Sequence, residues 1–527
     1  MLSRITSILL LAVIVNCNVQ AQVQLQTGSG NYSIPIFNWQ DDKSNLKSFV
    51  LLMYNSGNGL KVSEVASSTG QGWNLISGGV ITRMQVGEPD DQVAYNGNGT
   101  PEDISRYPAG YLYSQNSAGL GYPNNLTKYP LYRNKNQQYN QRNDVAEDKQ
   151  MDYFFFQFNG KSGVFVIDTN GVDRGVALND EKITISFQYN TNITSSGQPV
   201  RTTIRSFTIQ DVDGLKYKFE TLGIGKILKT KYCDKSFSHV MEQPKFKNNK
   251  VYYQTSFHDP NQTSHRPWVV NSWHLTEVED PLTLRKITFT YEEVLINNLS
   301  GDDVTYINGK KNYVVVNRKR AYAYTQEISS IVMPDGHRVD FVYGSNRLDY
   351  SGKPLQFIDV RYNSRFLTKY KLNTSYFILR RTGTPVTEEQ RRASRLCLVS
   401  LQQYGVDLKE EAPACKFDYY TGSGADDDVV PPYFTFLKDN WGYYNGFNTK
   451  GFTDEINVLW FNKKVSGRIN IDASELNFNQ GKGVCFLRDG APEPYINPKP
   501  GYAKNGLLKQ VILPTGGTIK YNYSQNG

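Results

Sequence analysis

The sequence predicts an all-β protein of antiparallel hairpins that stack into sheets or sandwich-like modules, with very little helix. Tyrosine (36), phenylalanine (26) and glycine (43) are plentiful among the 527 residues. Aromatic residues favour strands, and glycine favours the turns between them. Turn signals recur at short intervals, and one hairpin pattern returns along the chain. Length alone would suggest roughly three or four domains, although large β assemblies can form one body.

The chain begins with a segment typical of export. One cation, Arg4, precedes an uncharged apolar run over residues 5–15, and the small residue Ala21 lies directly before Gln22. This order predicts a secretory signal peptide over residues 1–21, too short to span a bilayer stably. The mature chain would then begin at Gln22.

The predicted location is outside the cell or on the cell surface. Lipid anchoring at Cys17 is not favoured, because Asn16 stands where the acylation motif needs a small residue. No later stretch reaches the roughly 18 apolar residues that a membrane-spanning helix needs. We therefore expect no transmembrane segment.

One hairpin pattern organises much of the remaining chain. ISSIVMPDGHRVDFVY and LKQVILPTGGTIKYNY both place apolar residues six and three positions before a proline. In both, an aromatic-X-Tyr ending starts seven residues after that proline. A pattern used several times points to a repeat architecture. The segments that follow it, some with longer turns, are residues 207–219, 275–291, 328–343, 396–420 and 508–523.

Proline and glycine explain why each segment turns back. Pro334 and Pro514 end the first strand, because proline cannot donate to the hydrogen-bond ladder. Gly336, Gly516 and Gly517 permit the positive φ that tight turns require. A lone hairpin is barely stable in water. Each hairpin is therefore expected to pair with neighbours in a larger sheet.

The stretches around the hairpins suggest a division of the chain. We predict a signal peptide at 1–21, an N-terminal β region at 22–225 with a loop-rich insert at 96–150, a hairpin region at 226–421, a loop-rich β region at 422–506 and a terminal hairpin at 507–527. One short helix is expected after Thr387, where Gln390 completes a capping box.

Several motifs together resemble secreted RHS/YD-repeat proteins of Gram-negative bacteria. GLKVSEVASSTGQGWNLISGGVITRMQVGEPDD, residues 59–91, resembles a segment near the start of these very large proteins. Further matches are Ser272-Trp273 before a hairpin, DNWGYYNG at 439–446, and GLLKQVILPTGGTIKYNY at 506–523, which is similar to the entry into the repeat array. The matches run in family order from about residue 32 to the end.

The resemblance implies a β-rich N-terminal region that precedes an RHS/YD array. In relatives the array is a spiral of β-hairpins forming a hollow shell, which often encloses a C-terminal toxin, while other relatives act at the cell surface. This sequence lacks the long array, the DPxGL-type core motif and a toxin domain. No payload function follows, and we expect a truncated or split product whose partner is the downstream repeats or a separate chain carrying them.

Three functions were weighed on these grounds. The favoured one is a non-enzymatic, secreted β-scaffold, part of an RHS/YD shell or surface-interaction protein of the polymorphic-toxin type. The alternatives are a glycan-binding surface adhesin and a secreted hydrolase whose site the sequence does not reveal. A cleft lined by paired acids, one with a strongly perturbed pKa, would support the hydrolase.

The terminal hairpin predicts a place for pairing. An exposed strand edge recruits another strand. We expect Leu508, Val511, Tyr521 and Tyr523 to form that edge, open to the next repeat.

Cysteine spacing suggests one disulfide. A turn centred near Val406 would place Cys397 opposite Cys415 on antiparallel strands, close enough for a bond. The alternative, two buried free thiols, is equally compatible with the sequence. Cys233 and Cys485 have no evident partner in the pattern.

Four aromatic residues raise the possibility of a ligand surface. Trp73, Trp441, Tyr443 and Tyr444 could form a platform for a surface glycan or a protein, since their rings offer flat apolar faces with polar edges. The glycines beside both tryptophans also suit close packing in a sheet corner, and structural packing is the favoured interpretation.

No catalytic, metal-binding or cofactor-binding residues are predicted. His258 and His265 belong to a polar loop, and the run Asp426–Asp428 lacks the spacing of a calcium loop. Asp90 and Asp91 follow a Gly-X-Pro turn and are expected to cap it. The net charge of +8 is spread over the whole chain, which argues against nucleic-acid binding.

Overall fold

The fold was analysed in a computed structural model. It describes residues 21–24, 29–57, 59–87, 89–91, 110–114, 150–168, 174–179, 182–193, 199–219, 233–247, 250–255, 269–307, 313–377, 391, 394–421, 430, 433–434, 441–444 and 503–523.

The prediction of an all-β fold is confirmed. Within the described residues the chain forms 23 strands, and its helix, α1 (Tyr111–Ser114), has four residues. The first strands are β1 (Ala21–Gln24), β2 (Ser29–Gln40), β3 (Lys47–Asn55), β4 (Trp73–Ser77), β5 (Gly79–Met84), β6 (Tyr153–Phe158), β7 (Lys161–Asp168), β8 (Arg174–Ala177), β9 (Thr184–Ile193), β10 (Pro199–Gln210) and β11 (Lys216–Phe219). The others are β12 (Cys233–Lys247), β13 (Lys250–Thr255), β14 (Val269–Asp280), β15 (Arg285–Ile307), β16 (Tyr313–Val332), β17 (His337–Tyr343), β18 (Leu355–Tyr362), β19 (Arg365–Tyr376), β20 (Leu396–Tyr404), β21 (Cys415–Tyr419), β22 (Leu508–Ile512) and β23 (Thr518–Lys520).

The N-terminal strands form a separate antiparallel sheet in the order β1-β2-β3-β4. Its strands alternate buried and more exposed residues, as β3 does along its whole length, which is the pattern of a sheet with one face on a core. The chain leaves this sheet through Gly78, whose φ is 66°. Glycine adopts this left-handed conformation without strain, so β4 can turn directly into β5.

Eight strands close into a ring. Antiparallel pairing runs from β5 through β6, β7, β8, β9, β10 and β11 to β14, which pairs back with β5. Aromatic side chains fill the ring: Phe154 stacks on Phe165 at 5.1 Å between centroids, and Phe207 meets Trp273 edge-on at 4.9 Å. Such contacts stabilise the interior beyond simple burial.

A long antiparallel meander continues from the ring. Each strand from β14 to β23 pairs with the next one along the chain. In addition, β12 pairs with β14 and with β16. All five predicted hairpins are confirmed within the ring and the meander: β10 with β11, β14 with β15, β16 with β17, β20 with β21, and β22 with β23. Strand β14 belongs to both bodies and joins them.

Four hairpins close with one hydrogen-bond frame, which we call the shared turn. The shared turn has five residues. The N–H of position 1 donates to the carbonyl of position 5, and the N–H of position 4 donates to the carbonyl of position 1. The four shared turns are Asp211–Leu215, Met333–His337, Gly405–Lys409 and Leu513–Gly517. The fourth position has positive φ in every case, with Gly214 at 82°, Gly336 at 100°, Leu408 at 60° and Gly516 at 86°. The prediction for Gly517 is wrong, because its φ lies outside this region.

The N-terminal sheet packs across the meander. The Trp39 indole N–H donates to Asp335 Oδ2 at 2.7 Å, in a turn of the meander. Arg285 donates to both carboxylate oxygens of Asp41, at 2.6 and 2.7 Å. One buried core contains residues from Tyr32 to Tyr521 and crosses the predicted segment boundaries.

The predicted disulfide does not form. Cys397 and Cys415 are buried free thiols. Leu401, not Cys397, pairs with Cys415, because the turn lies about two residues later than Val406. Four residues of strand separate the two cysteines along the ladder, or roughly 13 Å, which is too far for a bond. The helix predicted after Thr387 lies outside the described residues.

Two glycines test how tightly the sheets approach. A β-carbon at Gly70 (φ 115°) would lie 2.7 Å from the Leu398 main-chain nitrogen in β20, whereas one at Gly516 (φ 86°) would meet nothing within 4 Å. We expect Gly70→Ala to lower the free energy of unfolding by about 3 kcal/mol and Gly516→Ala by about 1 kcal/mol. Urea unfolding measures both. Equal losses would show that the close contact does not limit packing.

Candidate functional site

Trp73 lies in the core and not on a ligand surface. Its ring packs against Tyr32, Tyr54 and Phe417, with the Phe417 centroid 4.6 Å away. Its indole N–H donates to the Tyr419 hydroxyl at 2.9 Å. The side chain is fully buried, so its contribution to the predicted aromatic surface is wrong, and the favoured interpretation of structural packing holds at this position.

The other three aromatic residues differ in their exposure to solvent. Tyr444 is buried, Tyr443 is half-buried beneath the Lys61 ammonium, and Trp441 is exposed. The predicted four-ring platform therefore does not form. Only the Trp441 ring of this set is largely open to solvent.

The predicted terminal edge is displaced by one strand. Leu508 and Val511 are buried, and their strand β22 pairs on both sides, with β21 and β23. The Tyr521 hydroxyl donates to the Asn31 carbonyl, and the Leu508 N–H donates to the Tyr54 hydroxyl, so the N-terminal sheet covers this hairpin. The last strand of the meander is β23, so the main-chain N–H and carbonyl groups at its edge are those of β23.

A cleft of about 630 Å³ lies beside β15. This volume is within the range of sites for small molecules. One wall is β15, and the other is the loop of residues 344–354 between β17 and β18, with Arg391 nearby. Charged and polar side chains dominate the lining, among them Glu292, Glu293, Arg347, Tyr350, Lys353 and Arg391. We call it the carboxylate cleft.

A buried ion pair fixes the loop wall of the carboxylate cleft. Arg347 donates to both oxygens of Asp349, at 2.9 and 2.7 Å, and to the carbonyls of Ala66 and Ser67. Asp349 Oδ2 also accepts from the Leu396 N–H at 3.0 Å and from the Tyr433 hydroxyl at 2.8 Å. A carboxylate with this many donors holds its loop in one position.

A second buried cation anchors the same region. The Arg395 guanidinium donates to the carbonyls of Val62 and Glu64 and to Gln71 Oε1, and it stacks over the Tyr433 ring at 4.1 Å. Burial lowers its pKa to about 10. The GLKVSEVASSTGQGW motif therefore supplies acceptors to a buried arginine, a role that sequence reasoning missed because the partners are more than 300 residues apart.

Two glutamates oppose each other beside the carboxylate cleft, and Glu292 is the one that lines it. Glu292 pairs directly with Glu327 across β15 and β16, so both side chains leave the same face of the sheet at close range. A β-carbon at Gly352 would lie 3.6 Å from Glu327 Oε1, which places the loop over this carboxyl group. Burial, reinforced by the charge of Glu292 and opposed by Arg347 and Lys353, raises the pKa of Glu327 to about 7.

A separate polar cluster lies inside the ring. The Arg83 guanidinium is 2.7 Å from Asp91 Oδ1 and 3.5 Å from Asp152 Oδ2, and 5.2 Å from the Trp273 ring centre. Asp90 and Asp152 each accept the other's main-chain N–H. Burial and the neighbouring Asp152 raise the pKa of Asp90. The prediction that Asp90 and Asp91 cap a turn is wrong, because Asp91 pairs with the buried Arg83 and accepts the Ile204 N–H, while Asp90 accepts the Asp152 N–H.

The described part of the chain contains neither a cluster of candidate metal ligands nor a helical stretch with the length and apolarity needed to cross a membrane. No family model matches the chain, and no curated protein matches it. The candidate site therefore depends on the geometry of the carboxylate cleft.

The raised pKa of Glu327 predicts a pH-dependent stability. The folded protein holds the Glu327 proton up to about pH 7, whereas an unfolded glutamate releases it near pH 4.3. Stability is therefore lost as the pH rises from about 4.3 through 7. We expect Glu327→Gln to be more stable than wild type by about 1–2 kcal/mol at high pH, after allowing for solvent screening, and nearly equal at low pH.

Urea unfolding at about pH 4.5 and 8.5 measures this difference. Glu293→Gln, at the next position of β15, is the matched control for the loss of one acidic side chain from this sheet. A Glu327→Gln effect that is the same at both would contradict the assignment.

Proposed function

We propose that this chain is a non-enzymatic, secreted β-scaffold of the RHS/YD type, acting in a shell or at a cell surface. The observation that carries the proposal is the meander, in which successive hairpins are added in chain order and end on β23. Sheet extension of this kind suits a wall and needs no catalytic group. The resemblance of residues 59–91 and 506–523 to RHS/YD proteins supports the same function.

The outer side of β23 supports pairing with a further strand. The Leu513 N–H donates to the Gly517 carbonyl, and the Tyr521 N–H donates to the Lys509 carbonyl. Because main-chain groups alternate in direction along a strand, those of Thr518 and Lys520 point away from β22. Within the described residues, β22 is the strand that pairs with β23.

The occupant that fits this edge is another hairpin of the same pattern. The chain already pairs such hairpins edge to edge, as β17 pairs with β18 and β21 pairs with β22. Downstream RHS/YD repeats, or a separate chain carrying them, would continue the ladder through main-chain hydrogen bonds. An open edge also pairs two copies of the chain when no such partner is present.

Proline at the outer edge tests this pairing. Lys520→Pro removes an outward N–H without touching the ladder to β22, so it is tolerated at an edge. We expect wild type to self-associate as concentration rises in sedimentation velocity, and Lys520→Pro to weaken this association roughly tenfold, the effect of losing one or two net hydrogen bonds. Excess peptide copying residues 507–523 should compete with it.

Lys520→Ala is the matched control, because it removes the same charge and keeps the N–H. It should associate at least as strongly as wild type. A wild-type chain that stays monomeric at high concentration, or a Lys520→Pro chain that associates equally well, would contradict the proposed edge.

The carboxylate cleft favours a second candidate function, a glycan hydrolase. Glu292, which lines the cleft, opposes Glu327 across the β15–β16 ladder beside it, and the pKa of Glu327 is raised to about 7. Glycoside hydrolysis uses two such carboxyl groups, one of which holds its proton near neutral pH. Glu327 would donate the proton, and Glu292 would act as base or nucleophile. The adhesin alternative loses support because Trp73 and Tyr444 are buried.

Release of reducing ends from a polysaccharide panel tests the hydrolase. If the cleft is catalytic, Glu327→Gln should lower the rate by about 100-fold or more, the usual effect of losing a general acid. Glu410→Gln, at an exposed glutamate outside the cleft, should retain the rate of wild type. Absence of release by wild type across the panel, or an unchanged rate in Glu327→Gln, would leave the scaffold as the function of the chain.

A further inference from the structure

One rim of the ring and meander carries a row of turns. The shared turns Asp211–Leu215, Met333–His337 and Gly405–Lys409 follow β10, β16 and β20. Residues 281–284 close β14 and β15 at the same end, since Lys216 pairs with Glu279 and Thr288 pairs with Val332. The register from β16 to β20 keeps the later turns at this end too.

Large apolar side chains project from this rim into solvent. Their exposed fractions are 68% for Val212, 92% for Leu282, 72% for Leu284, 69% for Val406 and 49% for Leu408. We call these five residues the leucine rim. Scattered exposed apolar residues are ordinary, but five such residues at the tips of turns along one rim point to an interaction surface.

Two of these leucines occupy positions that suit glycine. Leu408 takes the fourth place of a shared turn with φ 60°, where the other three turns have glycine. Leu284 has φ 57° in the neighbouring four-residue turn. A left-handed backbone is unfavourable for leucine and free for glycine. Both leucines therefore carry backbone strain that glycine would avoid. Strain of this kind is often found at functional positions.

We propose that the leucine rim docks the protein on the surface of a lipid bilayer. Strands β15 and β20 are five strand spacings apart, so the pair Leu282 and Leu284 is separated from the pair Val406 and Leu408 by roughly 24 Å. A protein partner would need two pockets at that spacing, whereas the interfacial layer of a bilayer accepts each tip independently.

The flanking charges fit a zwitterionic or anionic lipid surface. Leu408 is followed by Lys409, whose side chain is 83% exposed, and a lysine beside an inserted residue reaches headgroup phosphates. Asp407 lies 3.3 Å from that ammonium and reduces its net charge. We therefore expect apolar insertion to supply most of the affinity.

Co-sedimentation of the full chain with vesicles tests the proposal. One set is phosphatidylcholine, and the other contains about a third phosphatidylglycerol. The double variant Leu284→Gly with Leu408→Gly removes two apolar tips and also their backbone strain, so its thermal midpoint should equal or exceed that of wild type. We expect its partition coefficient on phosphatidylcholine to fall about tenfold or more, since each leucine leaves an apolar environment.

Leu295→Asn is the matched control, because Leu295 is an exposed leucine of β15 far from the rim. It should partition as wild type does. Equal binding by the double variant, binding only to phosphatidylglycerol vesicles, or no binding by wild type to either set would overturn the proposal. None of these outcomes depends on pairing at β23, so the two proposals stand or fall separately.

Discussion

The close approach of the N-terminal sheet to the meander at Trp73 is the constraint on which the architecture depends. Gly70 leaves no room for a β-carbon at this approach, since one would lie 2.7 Å from the Leu398 nitrogen of the meander, and one at Gly72 would lie 2.5 Å from the Tyr54 ring of its own sheet. Only glycine has both the required positive φ and the required absence of a side chain. Trp73 then fills the space between the sheets, and β2 and β3 cover a face of the meander that would otherwise be wet.

The contact between the N-terminal sheet and the meander also fixes the carboxylate cleft. Segment 62–71 reaches the meander because Arg395 binds its carbonyls, and Arg347 binds two more while it pairs with Asp349. Removing one partner of such a buried pair leaves an uncompensated charge. The loop over Glu327 is thus held by the interactions that join the sheets. Its geometry cannot relax without loosening the fold, which is the preorganisation that a binding or catalytic site needs.

Local sequence was sufficient for the hairpins and insufficient for the sites. Pro334 and Gly336 indicate their turn directly in the sequence. Proline ends the ladder because it lacks an N–H, and glycine permits the positive φ of the turn. The register around Cys415 differs from the prediction because the turn lies about two residues later, with Leu408 in a glycine position, and no local signal marks that choice. Glu327 and Asp90 carry no local signal either, since their environment comes from strands and loops distant in sequence. The Gly-X-Gly-Trp motif was the exception, because glycine beside a large aromatic residue indicates close packing.

Two surfaces of one sheet thus have different chemistry. The edge at β23 presents main-chain groups, which recognise any strand and are indifferent to side chains. The leucine rim presents apolar side chains at the ends of strands, where no ladder can form. A scaffold that grows along its edge keeps its rim free at every step, because added strands extend the sheet sideways. Attachment through turns and extension through strands are therefore compatible in one molecule, and neither competes with the carboxylate cleft on the face between them.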